Sequence, residues 1–181
     1  MQKEPLTPKS KDYKAVESLY KAAFPAEEQA PLLFLFQRAK KDFIEFSAYY
    51  DGEALIGIVY QVAWGNIIYI VYLAVDATIR SKGCGSKILD EIKESYPDKR
   101  ILLNIEVADE TADNNPQRIK RKQFYARNGF ADTGVKIKMF GVTYDMLSYN
   151  GPCSAKEFLT LHKKFLGPII YAFMKPKLLS Q

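Results

Sequence analysis

The sequence is poor in the residues from which metal centres are built. Its 181 residues include one histidine, His162, and two cysteines, Cys84 and Cys153, which lie far apart and match no Cys-x-x-Cys spacing. No zinc site of the usual ligand set can be assembled from them, and no metal is expected. Long apolar runs are also missing. The longest, Ile67 to Val75, is about half of the roughly 20 residues that a membrane-spanning helix needs, and its β-branched and aromatic content suits a buried strand. The first ten residues are polar, carry Pro5 and Pro8, and lead into neither the apolar stretch nor the small-residue cleavage site of a signal peptide. The expectation is a cytoplasmic protein. Compositional bias is absent too: 48% hydrophobic, 26% charged and 13% aromatic residues are enough for a core and exclude a disordered or collagen-like chain. The length suits one domain, with residues 151–181 as a C-terminal helix and tail. A net charge of +5 favours an anionic partner without choosing among cofactor phosphates, nucleic acid or none.

What is present is a readable alternation of helical and strand periods. Asp12 is placed to cap a helix with the stripe Val16, Leu19, Tyr20 and Ala23, which Pro25 interrupts. Pro31 opens a second helix through Leu32, Leu33, Leu35 and Phe36. From Ile44 the period becomes two, Asp51-Gly52 supplies a tight turn, and Ala54 to Trp64 returns as the second arm of a hairpin. Gly65-Asn66 turns the chain again into Ile67 to Val75, apolar at both parities and so covered on both faces. Past Gly85, Ile88, Leu89, Ile92 and Tyr96 form one helical face, which Pro97 ends. Ile101 to Val107 is the next strand. Strand, helix, strand in this order is a parallel βαβ crossover. Asn115-Pro116 reads as a helix start and Asn128-Gly129 as its left-handed stop. Val135, Ile137 and Met139 pair through a Gly141 turn with Val142 to Leu147. Ser154 with Glu157 forms a capping box for a last helix through Phe165, closed by Gly167-Pro168.

The segment Val75-Asp76-Ala77-Thr78-Ile79-Arg80-Ser81-Lys82-Gly83-Cys84-Gly85 joins a buried strand to an amphipathic helix. Free amides and the helix dipole there attract a phosphate, and Arg80, Lys82 and Lys87 add positive charge. An ordinary glycine-containing connection has the same outline. A Walker loop does not fit, because Gly85 is followed by Ser86 and no glycine stands five residues before it. A dinucleotide fingerprint fits poorly, because its third glycine position is Ile88, although Glu106 lies where a ribose-binding acid is expected.

Taken whole, Arg80-Ser81-Lys82-Gly83-Cys84-Gly85 resembles the Arg/Gln-x-x-Gly-x-Gly/Ala signature of the GNAT superfamily of N-acetyltransferases. Phe124-Tyr125-Ala126-Arg127-Asn128-Gly129-Phe130 is similar to that family's Tyr-x-x-x-Gly-Phe ending of the next helix. The resemblance implies an α+β (mixed α/β) fold: a central, mostly antiparallel split sheet flanked by helices, with one parallel crossover. It implies acetyl-coenzyme A as cosubstrate, its pantetheine arm on the backbone of Leu73, Ala74 and Val75 and its pyrophosphate on the amides of Lys82, Gly83, Gly85 and Ser86, with Arg80 beside them. Cys84 fills a variable position and is read as a small packing residue rather than a nucleophile.

In the helix from Pro116, Arg118, Lys122 and Tyr125 share one face, with Arg121 beside it. The resemblance directs part of this face to the coenzyme's phosphates and lets Tyr125 hydrogen-bond the thioester sulfur. A donor there stabilises or protonates the departing thiolate; a core tyrosine beside Phe124 and Phe130 is the structural alternative. Arg118 stands where many members have asparagine, which leaves the usual asparagine contact to the coenzyme open. Glu106 points away from the face of Ile105 and Val107, as a proton acceptor for the attacking amine or as a solvated strand-end glutamate. Glu27 and Glu28 lie where this family commonly shapes the acceptor site and suit a cationic amine; they equally suit the N-terminus of the following helix. His162 shares a face with Phe158 and Phe165 as a packing or surface residue. The tail from Pro168 to Lys177, apolar then basic, fits a docking strand, a homodimer contact or a membrane contact. The reading is an N-acetyltransferase moving an acetyl group from acetyl-coenzyme A to a primary amine of a small molecule or peptide, by direct attack and with no nucleic acid partner. The alternative is a non-catalytic module that binds a phosphate ligand or nucleic acid through the glycine turn and the basic helix.

Overall fold

The structure, a computed structural model, describes residues 1–76, 78 and 83–179. Arg80 and Lys82, two of the residues expected at a phosphate site, lie outside the described residues. The fold is mixed α+β, with one mostly antiparallel sheet that has one parallel pair. Contacts group the chain into two compact units, Met1–Ala63 with Ile70–Pro97, and Trp64–Tyr69 with Asp98–Gln181. No helix among the described residues is long and apolar enough to cross a membrane.

The first unit holds β1 (Gln2–Pro5), α1 (Tyr13–Ala23), a 3-10 turn (Ala26–Glu28), α2 (Leu32–Arg38), β2 (Ile44–Asp51), most of β3 (Ala54–Trp64), the last two thirds of β4 (Ile67–Val75) and α3 (Cys84–Ser95). The β2-β3 hairpin turns where the sequence places it, with Gly52 at φ +60°. Strand β1 is an addition: Gln2 to Pro5 pair antiparallel with Tyr50 to Ser47 through backbone bonds that leave no mark in side-chain pattern. Ile88, Leu89 and Ile92 of α3 are fully buried, as their spacing predicts. One glycine in β3 shows why this helix sits so close to the sheet. A Cβ on Gly57 would stand 2.7 Å from the Ala74 carbonyl oxygen and 3.0 Å from Ile88 Cδ1, so the position has room only for hydrogen. Asp12 precedes α1 but caps no amide; its backbone (φ −98°, ψ 21°) is not extended, and its carboxylate instead accepts a 3.0 Å bond from the Tyr50 hydroxyl.

The second unit holds the start of β4, β5 (Arg100–Glu106), α4 (Asn115–Arg127), β6 (Ala131–Met139), β7 (Val142–Tyr149), α5 (Ala155–Leu166), α6 (Pro168–Met174) and β8 (Lys177–Leu179). Strand β7 lies between β5 and β6, antiparallel to both, and β8 borders β6. Helix α4 starts one residue earlier than Asn115-Pro116 suggests: Asn114 is the residue before the first turn, and the Asn115 side chain accepts from the Asp109 amide. Gly129 takes the expected left-handed stop at φ +82°. The Ser154/Glu157 capping box is complete, with Glu157 N–H on Ser154 Oγ at 3.3 Å and Ser154 N–H on Glu157 Oε2 at 2.9 Å. The tail forms two short elements, α6 and β8, that the sequence reading leaves undivided.

His162 is a buried residue of α5, ringed by Phe158, Phe165, Tyr69 and Tyr171 with ring centroids 5.3, 6.1, 6.5 and 6.3 Å away. Its Nδ1 is buried without a hydrogen bond. Burial lowers the imidazole from its ordinary 6.5 to about 4. In the window between these values the unfolded chain binds a proton that the folded site refuses, so this contribution to stability is complete above pH 6.5 and falls with pH toward 4. Denaturant midpoints measured across that window are expected to lose slope in His162→Phe; an unchanged slope assigns the pH dependence to other groups.

Candidate active site

The first unit holds the start of α3. Gly83 immediately precedes α3 in the left-handed conformation (φ +75°, ψ 8°), with open space where a Cβ would stand. Glycine is needed here for backbone conformation rather than for room. Among the described residues no side chain caps the helix, and no acidic residue occupies its first turn. The first intrahelical bond runs from Lys87 N–H to the Gly83 carbonyl at 3.1 Å, so the amides of Cys84, Gly85 and Ser86 come before any intrahelical acceptor. Aligned N–H groups without an acid nearby are what a pyrophosphate requires. The Cys84 side chain is buried. Leu73, Ala74 and Val75 form the end of β4, the strand that leads toward this turn.

The same unit places Glu27 and Glu28 in the 3-10 turn between α1 and α2. Two tyrosines strap this turn down. Tyr72 of β4 donates to the Glu28 carbonyl at 2.7 Å and accepts from Ala30 N–H at 3.2 Å, while Tyr20 of α1 donates to the Ala30 carbonyl at 3.1 Å. The rings of Tyr20, Phe24 and Tyr72 meet edge-on or tilted, with centroids 4.8 to 5.5 Å apart. Burial raises both hydroxyls well above the ordinary tyrosine value, and the field of the Glu28 carboxylate adds to it. Glu27 is exposed and Glu28 half-buried. Tyr72 was hidden from sequence reasoning because its strand is apolar at both parities.

The second unit holds Glu106, at the end of β5. It is only 5% exposed, so it is not a solvated strand-end residue. Its Oε1 lies 2.8 Å from Arg118 Nη2 and accepts from Asn114 Nδ2 at 3.3 Å. Arg118 is fixed in turn by the Asn114 side-chain oxygen at 2.8 Å and the Val107 carbonyl at 3.0 Å. The other carboxylate oxygen, Oε2, has Arg121 Nη1 at 3.0 Å but no aligned hydrogen bond, and it is buried. One turn on, Lys122 reaches Asp145 of β7 at 2.8 Å and Asp132 at 3.1 Å. Lys136 of β6 takes the second oxygen of Asp145. Burial alone would raise the Asp145 carboxyl; the two lysines outweigh it and hold it below the ordinary aspartate value.

In the structure Arg118 and Lys122 meet acids of the sheet: Arg118 pairs with the buried Glu106, and the exposed Lys122 with the buried Asp145 and the exposed Asp132; buried carboxylates are costly to leave unpaired. Asn114 and Asp145 were missed by the sequence reading. An acid at an inward position of β7 is the signal that a cation must come to meet it.

Tyr125 is half-buried on α4, its ring packed edge-on against Phe124 (5.1 Å) and Phe130 (5.7 Å). Its hydroxyl has no hydrogen-bond partner among the described residues. Burial pushes it up to about 12, with Arg121 opposing, so the phenol holds its proton throughout the neutral range. Among the described residues no group of three or more His, Cys, Asp or Glu is placed to hold a metal ion.

Comparison with known proteins gives this geometry its context. Residues 42–132 match the family model described as "Acetyltransferase (GNAT) domain", which takes in β2 to β5 and α4. A putative GNAT-family acetyltransferase from Bacteroides thetaiotaomicron superimposes with a TM-score of 0.71 at 21% identity, covering 94% of this chain and 98% of that one. A GNAT acetyltransferase from Elizabethkingia anophelis, solved with acetyl-CoA bound, gives 0.58 at 16% identity over 82% and 96% of the two chains. The ribosomal-protein-S18-alanine N-acetyltransferase from Escherichia coli gives 0.62 at 11% identity over 86% and 96%. No curated protein matches the chain significantly. With half its length inside the matched domain and the fold in agreement, the chain belongs to the GNAT acetyltransferase family.

Proposed function

We propose that the protein transfers the acetyl group of acetyl-coenzyme A to a primary amine of a small molecule or peptide, by direct attack of that amine. The thioester brings an acetyl group already activated for this attack. The pantetheine arm lies on the backbone of Leu73, Ala74 and Val75, and the pyrophosphate on the amides from Lys82 to Ser86 with Arg80 beside them. The uncapped, acid-free start of α3 supports that placement.

The observation that carries the mechanism is Tyr125, a phenol with a retained proton and no hydrogen-bond partner for its hydroxyl among the described residues. As the amine nitrogen bonds to the carbonyl carbon and the carbon–sulfur bond breaks, Tyr125 gives its proton to the departing sulfur. The amine's surplus proton goes to Glu106 Oε2, the carboxylate oxygen that is buried without a hydrogen bond. Arg118 and Asn114 hold the carboxylate by its other oxygen and so fix its direction. In this reading Arg118 and Lys122 position α4 rather than the coenzyme. Glu27 and Glu28 attract a cationic acceptor to the turn that Tyr72 and Tyr20 hold in place.

Tyr125→Phe is expected to lower kcat on the order of a hundredfold while acetyl-coenzyme A affinity, measured by calorimetry, stays the same. Unchanged turnover would end the proton-donor role.

Glu106→Gln preserves an oxygen for Arg118 and Asn114. It is expected to cost about as much in kcat. Activity retained in the folded variant removes Glu106 as proton acceptor.

Charge reversal of both Glu27 and Glu28 is expected to raise KM about tenfold for a cationic amine and leave coenzyme affinity alone. An unaltered acceptor KM would return these residues to the dipole of α2.

A further inference from the structure

After Glu157 the sequence contains no acidic residue and four lysines, at 163, 164, 175 and 177. Phe158, Leu161, Phe165 and Leu166 of that segment are buried, whereas several apolar residues of α6 and β8 lie open to solvent. On α6, Tyr171 turns inward toward His162, and the opposite side presents Ile169 at 77% and Phe173 at 87% exposure, one turn apart. Met174, Leu178 and Leu179 are exposed as well, and Lys175 and Lys177 stand among them, also exposed.

A second element brings the same combination. Strand β8 pairs antiparallel with β6, Lys177 opposite Lys138, so the chain before Lys177 runs toward the β6-β7 hairpin tip. That tip carries an exposed phenylalanine, Phe140, in the left-handed region at φ +51°. Asparagine or glycine would adopt this turn more easily, so an apolar ring is displayed there at a conformational cost. Beside α6 lies an open groove of about 500 Å3, whose walls include Leu159, Leu178 and Tyr171 together with Lys156 and Lys163.

We infer that this face docks on an anionic lipid bilayer, with Ile169, Phe173 and Phe140 entering the interface and Lys138, Lys175 and Lys177 set against the acidic headgroups. Exposed bulky apolar side chains among lysines, with no acid in the segment, are the composition of an interfacial anchor. The groove offers an apolar wall to an acyl chain and lysines to its headgroup. A second copy of the chain fits less well, because a symmetric contact would set the same acid-free lysine group against itself. Such an arrangement holds the enzyme at a membrane surface without any spanning helix, and it is independent of the acceptor the enzyme uses.

Co-sedimentation of the full chain with phosphatidylcholine vesicles, with and without phosphatidylglycerol, tests this. Binding is expected only to the acidic vesicles, with a steep decline as salt rises. Lys175→Gln with Lys177→Gln is expected to weaken it about thirtyfold. Ile169→Ser with Phe173→Ser is expected to abolish it with the thermal unfolding midpoint unchanged, since neither side chain is packed. Failure to bind acidic vesicles, or binding that survives both double variants, overturns the proposal. So does a wild-type dimer in sedimentation velocity that the serine variant makes monomeric, which would show that a second copy covers the face.

Discussion

Two buried carboxylates, Glu106 on β5 and Asp145 on β7, set the terms for the second unit. A carboxylate taken out of water is costly unless cations and hydrogen-bond donors replace the water, and removing one partner of such a pair typically costs about 3–5 kcal/mol. Helix α4 provides those cations: Arg118 and Arg121 for Glu106, Lys122 for Asp145. The helix contributes no buried residue of its own, and its one large aliphatic side chain, Ile119, is exposed. Its seat on the sheet is therefore set by charge rather than by an apolar stripe. Ion pairs fix rotation and height more narrowly than apolar contact does, because a slide by one residue would strip Glu106 of both arginines and Asp145 of one of its two lysines. Tyr125 inherits its position from that constraint, and the aromatic contacts with Phe124 and Phe130 then set the angle of the ring.

Most of the element order was legible because burial imposes periods. The hairpin Ile44 to Trp64, the doubly covered strand Ile67 to Val75 and the α3 stripe all follow from side chains that must avoid water. What escaped reading has the opposite character. Strands β1 and β8 join the sheet edges through backbone bonds that any residue can make, so Gln2 to Pro5 reads as a polar tail until it is paired. Asp12 and Asn115 have the composition of helix caps, but each found a different partner within reach, the Tyr50 hydroxyl and the Asp109 amide. A local signal names a donor or an acceptor; tertiary structure decides who answers it.

The glycines divide in the same way. Gly83 could be anticipated, since glycine in a turn permits backbone conformations that a side chain would block. Gly57 could not, because its reason lies in the Ala74 carbonyl and the Ile88 side chain, both distant in sequence. Candidate site residues follow suit: parity placed Glu106 away from Ile105 and Val107, while nothing local announced that Asn114, Arg118 and Arg121 converge on it.

The sorting of positive charge shows how far composition reaches. A net charge of +5 favours an anionic partner without requiring one, and α4 was the natural place to look, since it concentrates arginine and lysine. Yet its principal cations turn inward to acids that the sheet had already buried. In the segment after Glu157 there is no acid to turn toward, and Lys175 and Lys177, which stand among exposed Phe173, Met174 and Leu178, make no ion pair among the described residues. The same residue type thus seats a helix in one place and offers a surface in another. The deciding feature is not the lysines or arginines themselves but whether a strand nearby carries an acid at an inward position.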